Sequence, residues 1–268
     1  MPSFCLQVRT VSDMEGLDGI VLPGGESTAM GLIGNSTMNP DGKNVWEGLT
    51  EFRSRKPTWG TCAGMILLAE QCVGASAVIE NGQSLIGGVD ILVCRNYFGS
   101  QVSSFEMATP PPPGLESKET YPGVFIRAPA ILSAGPDVSV LGKVVATPCR
   151  QAAVVLQELE RKISNGEKVV QMGVVDSLER KSSQEIEYRV VVKAPEVEGE
   201  EEKKEVNAVE EADGRTLSLP GAADGSNARE VICAVRKNNL LCTAFHPELT
   251  GDYRWHQYFV TMVRESMS

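Results

Sequence analysis

The chain has 268 residues, with 25 basic and 35 acidic side chains and a formal charge of −10. This length fits one decorated α/β domain or two small ones, and the composition excludes collagen-like, disulfide-dense and wholly disordered chains. The acidic balance disfavours nucleic acid and anionic membranes, and no apolar run reaches the roughly 18 residues of a membrane-spanning helix.

Residues 1–10 carry one basic side chain and no long apolar stretch, so they do not read as a signal peptide. Residues 4–8 read as a first strand. Residues 19–22 are a short apolar run ended by Pro23-Gly24-Gly25, after which Ser27 is placed to cap a helix with Met30, Leu32 and Ile33 toward the core. Residues 46–53 resemble the end of another helix, and residues 57–61 lead into Cys62. Over residues 63–72 the spacing of Met65, Leu68, Ala69 and Cys72 predicts a helix. Residues 84–93, 123–127 and 138–145 read as strands. Between them, residues 109–122 hold Pro110, Pro111, Pro112 and Pro113, which make a stiff loop. Residues 231–235 and 240–245 are further strands, and residues 253–263 form an amphipathic closing helix.

Residues from about 150 to 228 interrupt this pattern and read as a segment inserted between two late strands of a single domain spanning residues 1–268. Within it, residues 169–175 and 185–192 are candidates for a hairpin. Residues 196–213 hold nine acids and two lysines, too little apolar surface to offset ordering entropy, and read as a disordered solvating loop. Strands alternating with helices predict an α/β sheet covered on both faces.

Seven cysteines, an odd number with no C-x-x-C, argue against a disulfide framework or a zinc ribbon and for reduced thiols in the cytoplasm. The two histidines, His246 and His256, leave few candidates for any step that needs an imidazole.

The sharpest local pattern is Gly60-Thr61-Cys62-Ala63-Gly64, between a β-type run and an apolar helix. In so tight a turn the central side chain projects from the sheet edge, and the flanking glycines relieve backbone crowding. The positive helix end beside the thiol is expected to favour thiolate. Alone, the pattern also fits a structural cysteine. Phe245-His246-Pro247-Glu248 follows an apolar strand, so His246 reaches the same edge as a base, with Glu248 placed to orient it. An interface histidine fits that stretch too. His256 has no acid placed to orient it and reads as structural. Leu22-Pro23-Gly24-Gly25-Glu26-Ser27-Thr28 exposes backbone N–H groups able to hold an oxyanion or carboxylate, or is an ordinary glycine-rich turn. Without Gly-Lys-Ser/Thr it is not a P-loop. Arg95 and Arg127 each follow a strand and suit either a substrate carboxylate or a surface ion pair.

Taken in order, these stretches resemble the glutaminase subunit of two-component pyridoxal 5′-phosphate synthase, the Pdx2 or SNO family of triad-type class I glutamine amidotransferases. Gly87-Gly88-Val89-Asp90, Arg95-Asn96-Tyr97-Phe98-Gly99, Gly123 to Pro129 and the extension through Leu249-Thr250 carry the likeness further. The resemblance implies a doubly wound sheet, mixed or parallel, with helices on both faces, and hydrolysis of L-glutamine to glutamate and ammonia. It implies Cys62 as nucleophile, His246 as base and acid, and Glu248 as orienter. Glutamine contacts are implied at Gly25, Glu26, Ser27, Arg95, Ile126 and Arg127. It also implies a (β/α)₈-barrel synthase partner that receives the ammonia, with no metal or cofactor on the glutaminase. Family members begin with an additional strand, a Leu-Gln-Gly turn and a helix, so the resemblance implies a missing first unit, from an incomplete gene model or a variant isoform. Two other readings stand beside the glutaminase. One is a non-catalytic subunit of the same complex. The other is a different triad-type amidotransferase or γ-glutamyl hydrolase on the same fold.

Overall fold

The computed structural model describes residues 4–36, 42–74, 84–99, 104–114, 119–164, 188–190, 215–217 and 228–267. Its centre is a mixed sheet. Strand β1 (Ile20–Leu22) runs parallel to β2 (Thr58–Thr61), and β2 is joined in parallel by the late strand β12 (Leu240–Thr243). Every residue of β2 and β12 is buried, as expected of strands covered on both faces. Beyond β12 the sheet turns antiparallel through β11 (Arg229–Lys237), which pairs with both β7 (Ala130–Ala134) and β8 (Ser139–Ala146). It continues from β7 to β4 (Val89–Cys94) and ends on β3 (Ala69–Val73), parallel to β4. Strands β5 (Ser104–Thr109) and β6 (Tyr121–Ile126) form a separate antiparallel pair. The expected α/β class therefore holds, with a mixed sheet and associated helices.

Several local expectations are corrected. Residues 4–9 are irregular, with Phe4 and Leu6 exposed, because no strand pairs with them among the described residues. Helix α1 (Ser27–Ser36) buries Ser27, Thr28, Gly31 and Gly34, while Leu32 and Ile33 face outward. The reason is close approach: a Cβ at Gly34 would enter the ring of Trp46 on α2 (Val45–Arg53), so the small residues face the neighbour. Helix α2 starts at a capping box, with Asn44 accepting from the Glu47 N–H and Glu47 from the Asn44 N–H. Helix α3 (Ala63–Leu68) stops four residues short of Cys72, and Ala69–Val73 pair as β3 instead. This segment is buried almost throughout, so helical spacing did not discriminate and strand pairing decided the conformation. Strand β4 begins only after Gly87 and Gly88, whose φ of +71° and +108° keep residues 84–88 out of the ladder.

The stretch expected as an insertion opens with α4 (Arg150–Ser164), which buries Ala152, Leu156 and Leu159 in the core. Arg229 on β11 anchors it through Glu160, 2.6 Å away. Tyr188–Val190 is a strand, β9, but it pairs in parallel with β10 (Arg215–Leu217), so it is not the second arm of a hairpin. The other arm, residues 169–175, and the acidic tract 196–213 lie outside the described residues.

The closing helix α5 (Arg254–Ser266) lays Trp255, Phe259 and Met262 on the core. Phe259 packs against Trp59 of β2 with ring centroids 5.6 Å apart. A run of rings then joins α5 to the smaller sheet: Trp255 lies 5.6 Å from Phe245, Phe245 5.4 Å from Tyr121, and Phe125 stacks on Phe105 at 5.4 Å. This buried aromatic layer lies directly behind the stretch that carries His246.

Candidate active site

Strands β1, β2 and β12 are parallel, so their C-terminal ends open on one sheet edge. The residues that follow them are therefore brought together: Gly24 and Gly25 after β1, Cys62 after β2, and His246 after β12. Separations of up to about 220 residues in sequence become neighbouring turns in space.

Cys62 sits at φ +47° and ψ −104°, a conformation that costs a non-glycine residue roughly 1–3 kcal/mol. The surrounding backbone enforces it. The Cys62 N–H donates to Thr243 O at 2.8 Å, and the Gly64 N–H donates to Pro23 O at 3.2 Å, which ties the elbow to the turns on both sides. A Cβ at Gly60 would strike the backbone of Gly64, and one at Gly64 would strike the carbonyl of Leu22. Both glycines are thus required sterically, as the sequence pattern implied.

The thiol of Cys62 is buried, and burial pushes its pKa from about 9.0 up to about 11. Hydrogen bonds from the Ala63 and Gly25 N–H groups and the positive charge of Arg127 pull it down, while the Glu248 carboxylate adds to the rise. The expectation that the helix end would favour thiolate is not met in the unliganded site. Helix α3 spans six residues, and its field is outweighed by desolvation. The two N–H groups nevertheless converge on the sulfur, the arrangement needed where negative charge develops beside it.

His246 is fixed at three points. Its N–H donates to Val124 O on β6 at 2.8 Å. Its Nδ1 lies 2.8 Å from Glu248 Oε1. Its ring packs on Gly24, where any Cβ would overlap ring atom Cε1. Pro247–Leu249 form a 3-10 turn that swings Glu248 back beneath the imidazole. With Nδ1–H donated to the carboxylate, the remaining lone pair is on Nε2. That nitrogen is buried and has no hydrogen-bond partner among the described residues.

Glu26, rather than Ser27, caps α1: its carboxylate accepts from the Thr28 N–H at 3.2 Å and the Ala29 N–H at 2.7 Å. Ser27 is the first helical residue and is buried. Gly25 has φ +150°, which suits glycine. Arg95 is buried, with Nη2 donating to Thr28 Oγ1 at 3.1 Å and lying 3.8 Å from Glu26 Oε1. Its Nη1 is buried without a partner among the described residues, a donor aimed where a carboxylate or carbonyl would satisfy it. Ile126 is half-buried at the end of β6, and Arg127 is exposed at φ +46°. A hydrogen bond from the Phe98 N–H to Ala128 O at 3.3 Å joins the loops that carry the two arginines.

Gly24 and Thr28 are site residues that the motif reading passed over. Gly24 was legible as part of a Gly-Gly pair, whereas nothing in the sequence marks Thr28 as the partner of Arg95. His256 lies on α5, edge-on to Trp59 at 5.4 Å, and burial lowers its pKa. Among the described residues, no group of three or more His, Cys, Asp and Glu side chains is placed to hold a metal ion.

The model of the SNO glutamine amidotransferase family matches residues 3–165 and 161–265. A probable pyridoxal 5′-phosphate synthase subunit PDX2 of Arabidopsis thaliana is 36% identical over 265 residues, covering 97% of this chain and 76% of the relative. The corresponding probable subunit of Dictyostelium discoideum is 32% identical, covering 96% and 76%. Subunit PdxT of Carboxydothermus hydrogenoformans is 44% identical over 142 residues, covering 52% of this chain and 66% of the relative. A crystal structure of a glutamine amidotransferase superposes with a TM-score of 0.54 at 23% identity, covering 96% of this chain and 85% of that one, a likeness of fold.

Proposed function

Because this chain belongs to the SNO glutamine amidotransferase family, we propose that its sheet edge hydrolyses L-glutamine through Cys62, His246 and Glu248. The ammonia goes to a synthase partner that makes pyridoxal 5′-phosphate. Family membership sets aside the reading as an unrelated γ-glutamyl hydrolase. The relatives' names as pyridoxal 5′-phosphate synthase subunits support the destination of the ammonia.

One observation carries the mechanism: a strained cysteine with two N–H groups on its sulfur lies at the same edge as an imidazole locked to a carboxylate. In the reading proposed, His246 Nε2 takes the Cys62 proton as sulfur attacks the side-chain amide carbon of glutamine. The raised pKa of the thiol makes this transfer concerted with attack, since little free thiolate is present near neutral pH. The Gly25 and Ala63 N–H groups hold the oxyanion. His246 then protonates the departing ammonia, leaving a γ-glutamyl thioester. The same Nε2 activates water to hydrolyse it. Glu248 keeps the imidazole in the Nδ1–H tautomer and offsets the charge it gains.

Arg95 Nη1, Gly25, Glu26, Ser27, Ile126 and Arg127 line the substrate side of this reading. Arg95 suits the α-carboxylate, and the Glu26 carboxylate suits the α-ammonium. The partner is a (β/α)₈-barrel synthase subunit, and the compartment is the cytoplasm, where seven free thiols stay reduced. Residues 1–268 act as one glutaminase domain, with residues from about 150 to 228 as its variable segment. No helix among the described residues is long and apolar enough to cross a membrane.

The test is release of equimolar glutamate and ammonia from glutamine by the purified chain mixed with its synthase partner. Cys62→Ala should lower the rate by about a thousandfold or more. No release by the wild-type mixture would sink the proposal.

A further inference from the structure

Glu248 is half-exposed, and among the described residues its carboxylate is bonded only to His246. A carboxylate in that setting has no fixed position of its own, so the turn beneath it must supply one. Strand β6 holds that turn at two points. The Val124 carbonyl accepts the His246 N–H at 2.8 Å. Three residues earlier, the buried Tyr121 hydroxyl lies 3.1 Å from Thr250 Oγ1. Glu248 lies midway between these anchors.

The second anchor is itself braced. The Asp252 N–H donates to Thr250 Oγ1 at 3.1 Å. Asp252 receives the Arg254 guanidinium through Nε at 2.9 Å and Nη2 at 2.6 Å. Arg254 then donates Nη1 to Glu119 O at 2.7 Å and Nη2 to Thr120 O at 2.8 Å, the two carbonyls that precede Tyr121. Its guanidinium also lies 5.8 Å from the centroid of the Tyr121 ring. The loop thus closes on itself: the start of β6, the 3-10 turn and the first turn of α5 form one ring of hydrogen bonds around Glu248.

We propose that Tyr121, Thr250, Asp252 and Arg254 form a positioning clamp that sets the Glu248 carboxylate against His246 and so fixes the imidazole tautomer that the triad needs. The clamp touches no reacting atom. It deepens the glutaminase reading and rests on it for its catalytic consequence, but its effect on the imidazole stands independently. An imidazole freed from Glu248 reverts to the Nε2–H form that predominates in free histidine, which cannot act as base at Nε2.

The chain has only two histidines, so the test is a ¹⁵N spectrum of the ¹⁵N-histidine-labelled full chain, assigned with His256→Asn. Wild type should show His246 as the Nδ1–H tautomer. Thr250→Val should shift it to a mixture dominated by Nε2–H, and Thr250→Ser, which keeps the hydroxyl, should restore the wild-type pattern. In the ammonia assay with the synthase partner, Thr250→Val should lower kcat by about tenfold or more with KM within about twofold, as expected of lost positioning. Tyr121→Phe deletes only a hydroxyl and should behave in the same way, which keeps the test available if Thr250→Val does not fold. The clamp is overturned if wild-type His246 is not locked as Nδ1–H, or if folded Thr250→Val or Tyr121→Phe keeps both tautomer and kcat. A locked tautomer lost in both variants, in a wild type that releases no ammonia, would uphold the clamp and reject the glutaminase reading.

Discussion

Gly24 has no side chain, yet the position of His246 depends on it. A methyl group there would enter the imidazole ring at Cε1 and push it off the elbow. Gly24→Ala should therefore leave the fold intact and lower kcat by about tenfold or more in steady-state kinetics. An unchanged kcat would mean that the ring position is not held from this side. The glycines around Cys62 were legible in the sequence because backbone packed on backbone excludes every other residue. The state of the thiol was not legible. A helix start is visible in sequence, but burial of the sulfur depends on β1, β12 and Arg127 arriving from elsewhere in the chain. Glu26 and Ser27 show the same limit: either can cap a helix, and only the turn after Gly25 brings the carboxylate to the Thr28 and Ala29 N–H groups.

Elements divided according to how strongly local pattern and tertiary pairing agree. Strands β1, β2 and β12 are short apolar runs ended by turn residues, and they matched the sequence reading closely. Strand β5 was missed because alternate residues face solvent and it pairs only with β6. Helix α4 was missed because its buried positions, Ala152, Leu156 and Leu159, are spaced through a charged stretch that adjoins the acidic tract. The clamp of Tyr121, Thr250, Asp252 and Arg254 joins positions about 130 residues apart, a contact that no local pattern encodes. The capping box of α2 is the opposite case, being wholly local. Asn44→Ala should lower unfolding free energy by about 1 kcal/mol in denaturant titration without changing kcat. A change within about 0.2 kcal/mol would show that the box contributes nothing beyond water.

At the scale of the whole molecule, the chain is rich in buried thiols. Burial pushes Cys62 up to about 11 and Cys94 and Cys233 up to about 12, with Cys242 shifted in the same direction. In the unfolded chain these thiols lose their protons near pH 9, whereas the folded chain retains them. Above pH 9 the unfolded state therefore binds fewer protons, and stability falls as pH rises toward 11 to 12. Denaturant unfolding should show a loss of roughly 1 kcal/mol per pH unit for each such thiol. The stability gap between wild type and Cys233→Ala should accordingly narrow from pH 8 to pH 10. A gap that stays constant would place the Cys233 thiol in contact with water. The net charge that opened the sequence reading has little bearing on the chemistry, since seven of its ten units come from residues 196–213, and the site instead sets Arg95 and Arg127 beside Glu26 and Glu248.

The most direct measurement is modification by a glutamine analogue that carries a diazoketone in place of the side-chain amide, mapped by peptide mass spectrometry. A nucleophilic Cys62 served by His246 predicts one adduct per chain, on Cys62. It should be blocked by excess L-glutamine and absent from Cys62→Ser, while the exposed Cys5 and half-buried Cys149 stay unmodified. An unmodified Cys62, or labelling spread over Cys5 and Cys149 at the same rate, would contradict the assignment of this sheet edge as a glutaminase site.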